Sequence, residues 1–378
     1  MVSLNIKSRV KFFLFFLEIS TVTSKNKLLK LIALILASSY ISFYFTFSMT
    51  SIPELLAAEG FRKIEILYEV LPGISVGVKL LLLFPYRKRI KPLLNAFDEI
   101  DFTEEGKEVM LKYFTKFKKI LKILTCLWGF AASGGILASI VLQKIPIENQ
   151  RIPGVEATEG VVDWKFIVTV IQQDTYILYA LSAFIFLDGY PSLILALISG
   201  YLEGVVLKVQ KIGWAEKESN QESKSKLIEC LKMHQKAYEL QTEFSTIFSK
   251  ALLAQCAMTT FIICSLMVKL SLESPLNNLQ LFIRNITIII SVLYQVASFN
   301  YMGSQLISSN EMLKNAIFEM NWVDKDLKFK KLMLMFQQRT EKLIQIRIGY
   351  IIVVDMRIVT EICNLAYKLY AVMMKINR

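Results

Sequence analysis

Long apolar runs recur along the chain, separated by segments in which charges crowd together. Residues 31–52 carry no charge, and their length suits a bilayer core, which takes roughly 20 residues to cross. Residues 64–84 predict a second span, although Glu65, Glu69 and Lys79 lie inside it and Pro72-Gly73 is expected to kink it or line a cavity. Residues 85–120 mix acids and bases from Arg87-Lys88-Arg89 onward and read as a loop. The third span is 121–142, where Ser133, Gly134 and Gly135 permit close helix approach. A turn-rich loop, 144–165, follows around Pro146, Pro153 and Gly154.

Residues 166–207 are almost all apolar, with Asp174, Asp188 and Glu203 the only charges and Gly189-Tyr190-Pro191 in the middle. They make either two short spans or one long bent helix. Loop charge favours one crossing, because 208–250 carries eight lysines and Lys-rich segments beside a membrane belong in the cytoplasm. Spans five and six are then 251–270 and 281–307, joined by a loop whose one charge is Glu273. The segment 308–342 is basic again, with Lys325, Lys328, Lys330, Lys331 and Arg339, and leads into a closing apolar run, 343–374. At 3.6 residues per turn, Arg357, Glu361, Asn364, Lys368 and Lys375 fall on one stripe of that run. Unpaired charge against lipid costs several kcal/mol, so the stripe faces water or protein. It belongs either to a pore-lining helix or to a packed one with Arg357 and Glu361 paired at i,i+4.

Composition agrees with this pattern: 54% apolar residues and 25 Phe in 378 exclude a soluble globular domain. The fold class is all-α, a polytopic membrane protein with seven transmembrane helices. The net charge of +12 is explained by topology: about 30 of the 44 Lys and Arg fall in the N-terminal tail and the loops after spans two, four and six. About 7 lie on the other side. The N-terminus is therefore cytoplasmic and the C-terminus extracellular, the reverse of a G-protein-coupled receptor, and no nucleic acid partner is needed. The chain divides into a cytoplasmic N-terminal segment (1–27), spans one to six (28–307), a cytoplasmic region (308–342) and the seventh span (343–378). Residues 11–19 read as an amphipathic stretch at the inner membrane surface, not as a signal peptide.

Catalytic chemistry finds no footing. His234 is the only histidine, read here as solvated in a lysine-rich loop, which leaves His-based metal sites and Ser-His or Cys-His pairs nearly excluded. No phosphate-binding loop is present, and Gly73 to Gly77 is too sparse for a dinucleotide fingerprint. No cofactor or metal is expected. Nor is any disulfide expected among Cys126, Cys230, Cys256, Cys264 and Cys363. Asn285-Ile286-Thr287 matches a glycosylation acceptor but lies too close to the bilayer for modification. What remains is binding. Aromatic and small polar residues at helical spacing line the outward halves of four spans: Tyr68, Leu71 and Ser75; Ile136 and Ser139; Tyr176, Tyr179, Ala183 and Phe184; Ser291 and Tyr294. Such a lining suits a small, mostly apolar ligand held by one or two hydroxyls, while the same aromatics also serve bundle packing.

The end of the chain is distinctive. Ser309-Asn310-Glu311, Ala316-Ile317-Phe318, Trp322, the basic stretch 329–339 and the closing Asn364-Leu365-Ala366-Tyr367-Lys368-Leu369-Tyr370-Ala371-Val372-Met373 resemble the C-terminal signature of insect odorant receptors. Length, seven spans and inverted orientation fit that family along the chain. Lys368 departs from it, standing where a small hydroxyl residue usually follows the closing Ala-Tyr. The resemblance implies an odorant-binding subunit of a ligand-gated, non-selective cation channel, opened by a small volatile and working in a heterotetramer with shared co-receptor subunits. It makes 308–342 a cytoplasmic anchor and 343–378 the pore-lining span. Val372 and Ile376 become the gate, with Lys368 and Lys375 toward the conduit and permeant cations. It also implies the plasma membrane of the olfactory neuron dendrite. A gustatory-type receptor channel would end in a Thr-Tyr and Gln-Phe pattern not found here. A secondary transporter would need internal repeats with matching broken helices.

Overall fold

The computed structural model describes residues 54–97, 104–141, 161–215, 218–272, 279–342 and 344–376, with Asn26, Lys27, Leu28, Leu31 and Ile35 before them. The expected N-terminal segment and first span otherwise lie outside the described residues. The elements in order are α1 (Phe61–Leu83), a 3-10 turn (Phe84–Tyr86), α2 (Arg87–Asn95), α3 (Glu104–Val141), α4 (Trp164–Gln210), α5 (Asn220–Leu272), α6 (Leu279–Glu319) and α7 (Leu327–Glu341). A hairpin of β1 (Arg347–Ile348) and β2 (Ile352–Val353) precedes α8 (Arg357–Ile376).

The central element is α4. Asp163 caps it by accepting from the Phe166 N–H at 2.7 Å, and it then runs through Pro191 as one 47-residue helix. The long apolar run is thus a single helix. Every residue from Leu187 to Leu202 is buried, because α4 packs against α3, α6, α5 and α1. A helix enclosed in this way needs no polar face, which is why its apolar residues show no periodicity. Ser192, Ala196, Gly200 and Gly204 recur at every fourth position along it. A Cβ at Gly200 would stand 2.8 Å from Met110 Sδ, and one at Gly204 3.8 Å from Gly106 Cα. Small residues let α3 and α4 approach, and between apolar helices such close packing is the main source of adhesion.

The charged segments expected as loops are largely helical. α3 starts at Glu104, α5 at Asn220, and α6 continues to Glu319. Their charges occupy outward faces, while Met110, Tyr113, Phe114 and Phe117 on α3, and Leu227, Cys230, Ala237, Leu240 and Phe244 on α5, are buried at helical spacing. Charge density therefore does not mark where these helices end. Asp326 caps α7 by accepting from the Phe329 N–H at 2.8 Å, and Phe329, Met333, Phe336 and Thr340 turn inward. His234, expected in solvent, is 2% exposed and meets the Phe336 ring edge-on at 5.7 Å. At Gly213, φ is +81° and a Cβ would stand 2.3 Å from Asn321 O, so only glycine suits this junction.

The closing run departs most from expectation. Its first part is a hairpin whose turn places Gly349 and Tyr350 at φ 58° and 65°, the pair of positive angles of a type I′ turn. Ile346, Ile348, Ile352, Val353 and Val354 favour extended backbone by their branched Cβ atoms. Ser249 of α5 holds the hairpin: its Oγ donates to Arg347 O at 2.9 Å and accepts from the Tyr350 N–H at 3.2 Å. Gly303 of α6 admits it, since a Cβ there would fall 2.5 Å from Val354 Cγ1. The helix proper begins only at Arg357 and has 20 residues, about 30 Å, still enough to span. Arg357 pairs with Asp355 at 2.6 Å rather than with Glu361.

Candidate functional site

Three helices bring part of the expected lining toward one buried polar cluster. Leu71, Ser75 and Lys79 succeed one another at four-residue spacing on α1, Phe184 and Asp188 on α4, and Ser291 and Gln295 on α6. On each helix a position expected to line a ligand site stands one turn from a member of the cluster, always on the side away from the basic extensions. Lys79 Nζ donates to Asp188 Oδ1 at 2.6 Å, with the two side chains 3% and 1% exposed. Gln295 Nε2 donates to the other oxygen, Oδ2, and Gln255 of α5 also hydrogen-bonds this carboxylate. A carboxylate so far from water persists only when its oxygens are satisfied, and three helices besides its own contribute to that. Phe184 is buried, stacks on Trp128 of α3 at 4.6 Å and 4° between planes, and has Lys79 Nζ 5.5 Å from its centroid.

The other expected positions divide in two. The side chains of Tyr68, Ile136, Ser139, Tyr176, Tyr179 and Ala183 lie outside the described ones, on backbone that belongs to α1, α3 and α4. Leu71 packs against the core and Ser75 is buried. Ser291 is fully buried and its Oγ donates to Thr287 O at 2.7 Å, while the Tyr294 hydroxyl donates to Ile120 O at 3.4 Å. Both hydroxyls thus bond to backbone. Lys79 and Asp188 were visible in the sequence as charges within spans, a signal that marks function in a membrane. Trp128, Gln255 and Gln295 carried no comparable signal. Among the described residues no three His, Cys, Asp or Glu stand together to hold a metal ion.

The second arrangement is α8. Ile358, Ile362 and Ala366 are buried at four-residue spacing, with Cys264 Sγ to Met373 Sδ at 3.7 Å and Ser271 Oγ to Tyr370 OH at 2.9 Å joining this helix to α5. Arg357, Glu361, Asn364, Lys368 and Lys375 are all exposed in the single chain. On an ideal helical wheel they fall within roughly 60° of arc, opposite Ile362 and Ala366. Val372, 55% exposed, lies on the flank of that row. The Ile376 side chain lies outside the described ones.

Known proteins agree with this architecture. The chain is 22% identical over 197 residues to Odorant receptor 2a of Drosophila melanogaster, a match spanning half of each protein. With Odorant receptor 33a of the same species it shares 21% over 289 residues, three-quarters (75%) of each. The solved structure of the olfactory receptor OR5 from Machilis hrabei in complex with eugenol superposes with a TM-score of 0.82 over 100% of both chains at 10% identity. The shared fold is the all-α seven-helix membrane bundle. The model of the 7tm odorant receptor family matches residues 70–367, from α1 through most of α8. A family match over this much of the chain settles its membership: the chain belongs to the 7tm odorant receptor family and is a multi-pass membrane protein, not an enzyme.

Proposed function

We propose that this chain is the odorant-binding subunit of a ligand-gated, non-selective cation channel, working in a tetramer with shared co-receptor subunits in the plasma membrane of olfactory neurons. One observation carries the reading: the charged row of α8 is exposed in the single chain, and nothing among the described residues covers it. An ionised side chain turned to lipid costs about 2.5–3.5 kcal/mol near the bilayer centre, and Glu361 and Lys368 stand well inside α8, away from its ends. A water-filled conduit formed where several protomers meet removes that cost. The basic extensions of α3, α5 and α6 then lie in the cytoplasm, so α8 runs outward and its C-terminal end, with Val372, Lys375 and Ile376, lies toward the outside.

The ligand enters the half of the bundle away from the basic extensions, lined by Tyr68, Leu71, Ile136, Ser139, Tyr176, Tyr179, Ala183 and Phe184 around Ser75, Ser291 and Tyr294. Support comes from the convergence of α1, α4 and α6 there, and from the Machilis receptor of the same fold, solved with eugenol. A ligand opens the pore only by the difference in its affinity for the open and closed states. A shift of α8 that withdraws Val372 and Ile376 from the axis is the two-state element. Current recording in cells expressing the chain with and without a co-receptor, against a panel of volatiles, tests the proposal. Volatile-evoked cation current that requires this chain is expected; none, despite surface expression of both subunits, contradicts it.

A further inference from the structure

We infer that the ligand of this chain is a neutral molecule bearing a hydrogen-bond acceptor, such as a ketone, ester or aldehyde oxygen, which it presents to donors of Lys79 and Trp128. The inference rests on the outer bundle being the ligand site and adds the chemical class that this site selects.

The argument is a count of donors and acceptors. Both oxygens of Asp188 are engaged, Oδ1 by Lys79 and Oδ2 by Gln295, so the carboxylate has little left to offer a ligand donor. The Lys79 ammonium carries three N–H groups, and among the described residues it spends one, on Asp188. Trp128 is 9% exposed, and among the described residues its indole Nε1 has no hydrogen-bond partner. An indole N–H can only donate, and a buried donor without an acceptor is costly. Both donors stand against one ring: Trp128 stacks on Phe184, and Lys79 Nζ lies 5.5 Å from that ring's centroid. Phe184 belongs to the expected lining and reaches the cluster through Lys79.

The unmet donors therefore surround an apolar surface, and what would complete them is an oxygen acceptor on a molecule that also packs against Phe184. Charge narrows the class further. Lys79 and Asp188 cancel, so a carboxylate or an amine would bring net charge into a site screened from water, whereas a carbonyl would not. A hydrocarbon of the same size would leave both donors as they are.

The test is binding, measured apart from gating. The full chain in lipid nanodiscs is melted with ketones, esters and aldehydes of about six to ten carbons, with alkanes of matching length, and with octanoate at neutral pH. The carbonyl compounds are expected to raise Tm, while the alkanes and octanoate are not. Trp128→Phe keeps the stack and removes the donor, and should weaken carbonyl binding about tenfold. The paired variant Lys79→Met with Asp188→Leu removes both charges at similar volume and so keeps the fold, and its preference for ketones over alkanes should fall to the part that Trp128 supplies. Alkane or octanoate binding equal to that of the ketones in the unaltered chain, unchanged ketone binding in Trp128→Phe, or no response to any carbonyl compound overturns the inference. Ketone-selective binding without current in cells would instead count against the channel reading and leave this one standing.

Discussion

Asp188 sits in the middle of a helix of apolar neighbours, where side chains from α1, α5 and α6 meet its carboxyl oxygens. Such a pair is asymmetric: losing one partner strands the other, whereas losing both leaves an ordinary apolar contact. Lys79→Met or Asp188→Leu alone should destabilise the bundle by about 3–5 kcal/mol, with the double replacement recovering most of it, as read from melting in nanodiscs. His234 poses a different residue-scale problem. Burial first, and then the nearby Arg339 guanidinium, hold its pKa down to about 4, with Asn310 acting the other way. An unfolded histidine titrates near 6.5, so between these values the unfolded chain binds a proton that the folded one refuses. The stability contribution is whole above about pH 6.5, falls as pH drops toward 4, and is level below that, roughly 3 kcal/mol in all. Lowering pH from about 7 to about 5 should depress Tm in the native chain and less in His234→Phe; equal shifts would contradict the assignment.

At the scale of elements, the hairpin and α8 form one mechanical unit. Ser249 and Gly303 fix the hairpin between α5 and α6, and α8 follows directly from it. Val372 lies exposed beside the charged row, so if it closes the pore, Val372→Ser should raise the current in the absence of ligand. Unchanged basal current with normal surface expression would remove it from the gate. The sequence made the spans legible because an apolar run of membrane length is a strong one-dimensional signal. It also made legible the charged stripe of α8, which depends only on helical period. The helical extensions were missed because their charges were weighed and their buried spacing, Met110, Tyr113, Phe114 and Phe117, was not. The hairpin was missed because Ile and Val suit a membrane helix and a strand alike, and only Gly349 marks the turn. The Lys79 to Asp188 pair was beyond a single sequence. Which charges meet across 109 positions depends on how two helices are rotated and shifted against each other.

For the whole molecule, the polar groups sort into three kinds. Basic helix extensions exchange ion pairs with their neighbours, as Lys112 does with Glu203 at 3.1 Å. The cluster around Asp188 satisfies itself within the bundle, apart from the donors of Lys79 and Trp128. The α8 row is exposed in the single chain, with nothing among the described residues covering it, and the proposed conduit gives it water as its surroundings. The most direct measurement is therefore made at that row. In cells expressing Lys368→Cys in a Cys126→Ser, Cys363→Ser background with a co-receptor, a charged, membrane-impermeant thiol reagent should alter the volatile-evoked current, and should leave that background chain without Lys368→Cys unaffected. Modification only by a membrane-permeant reagent, with the current untouched by the charged one, would put Lys368 against lipid or protein and contradict the conduit.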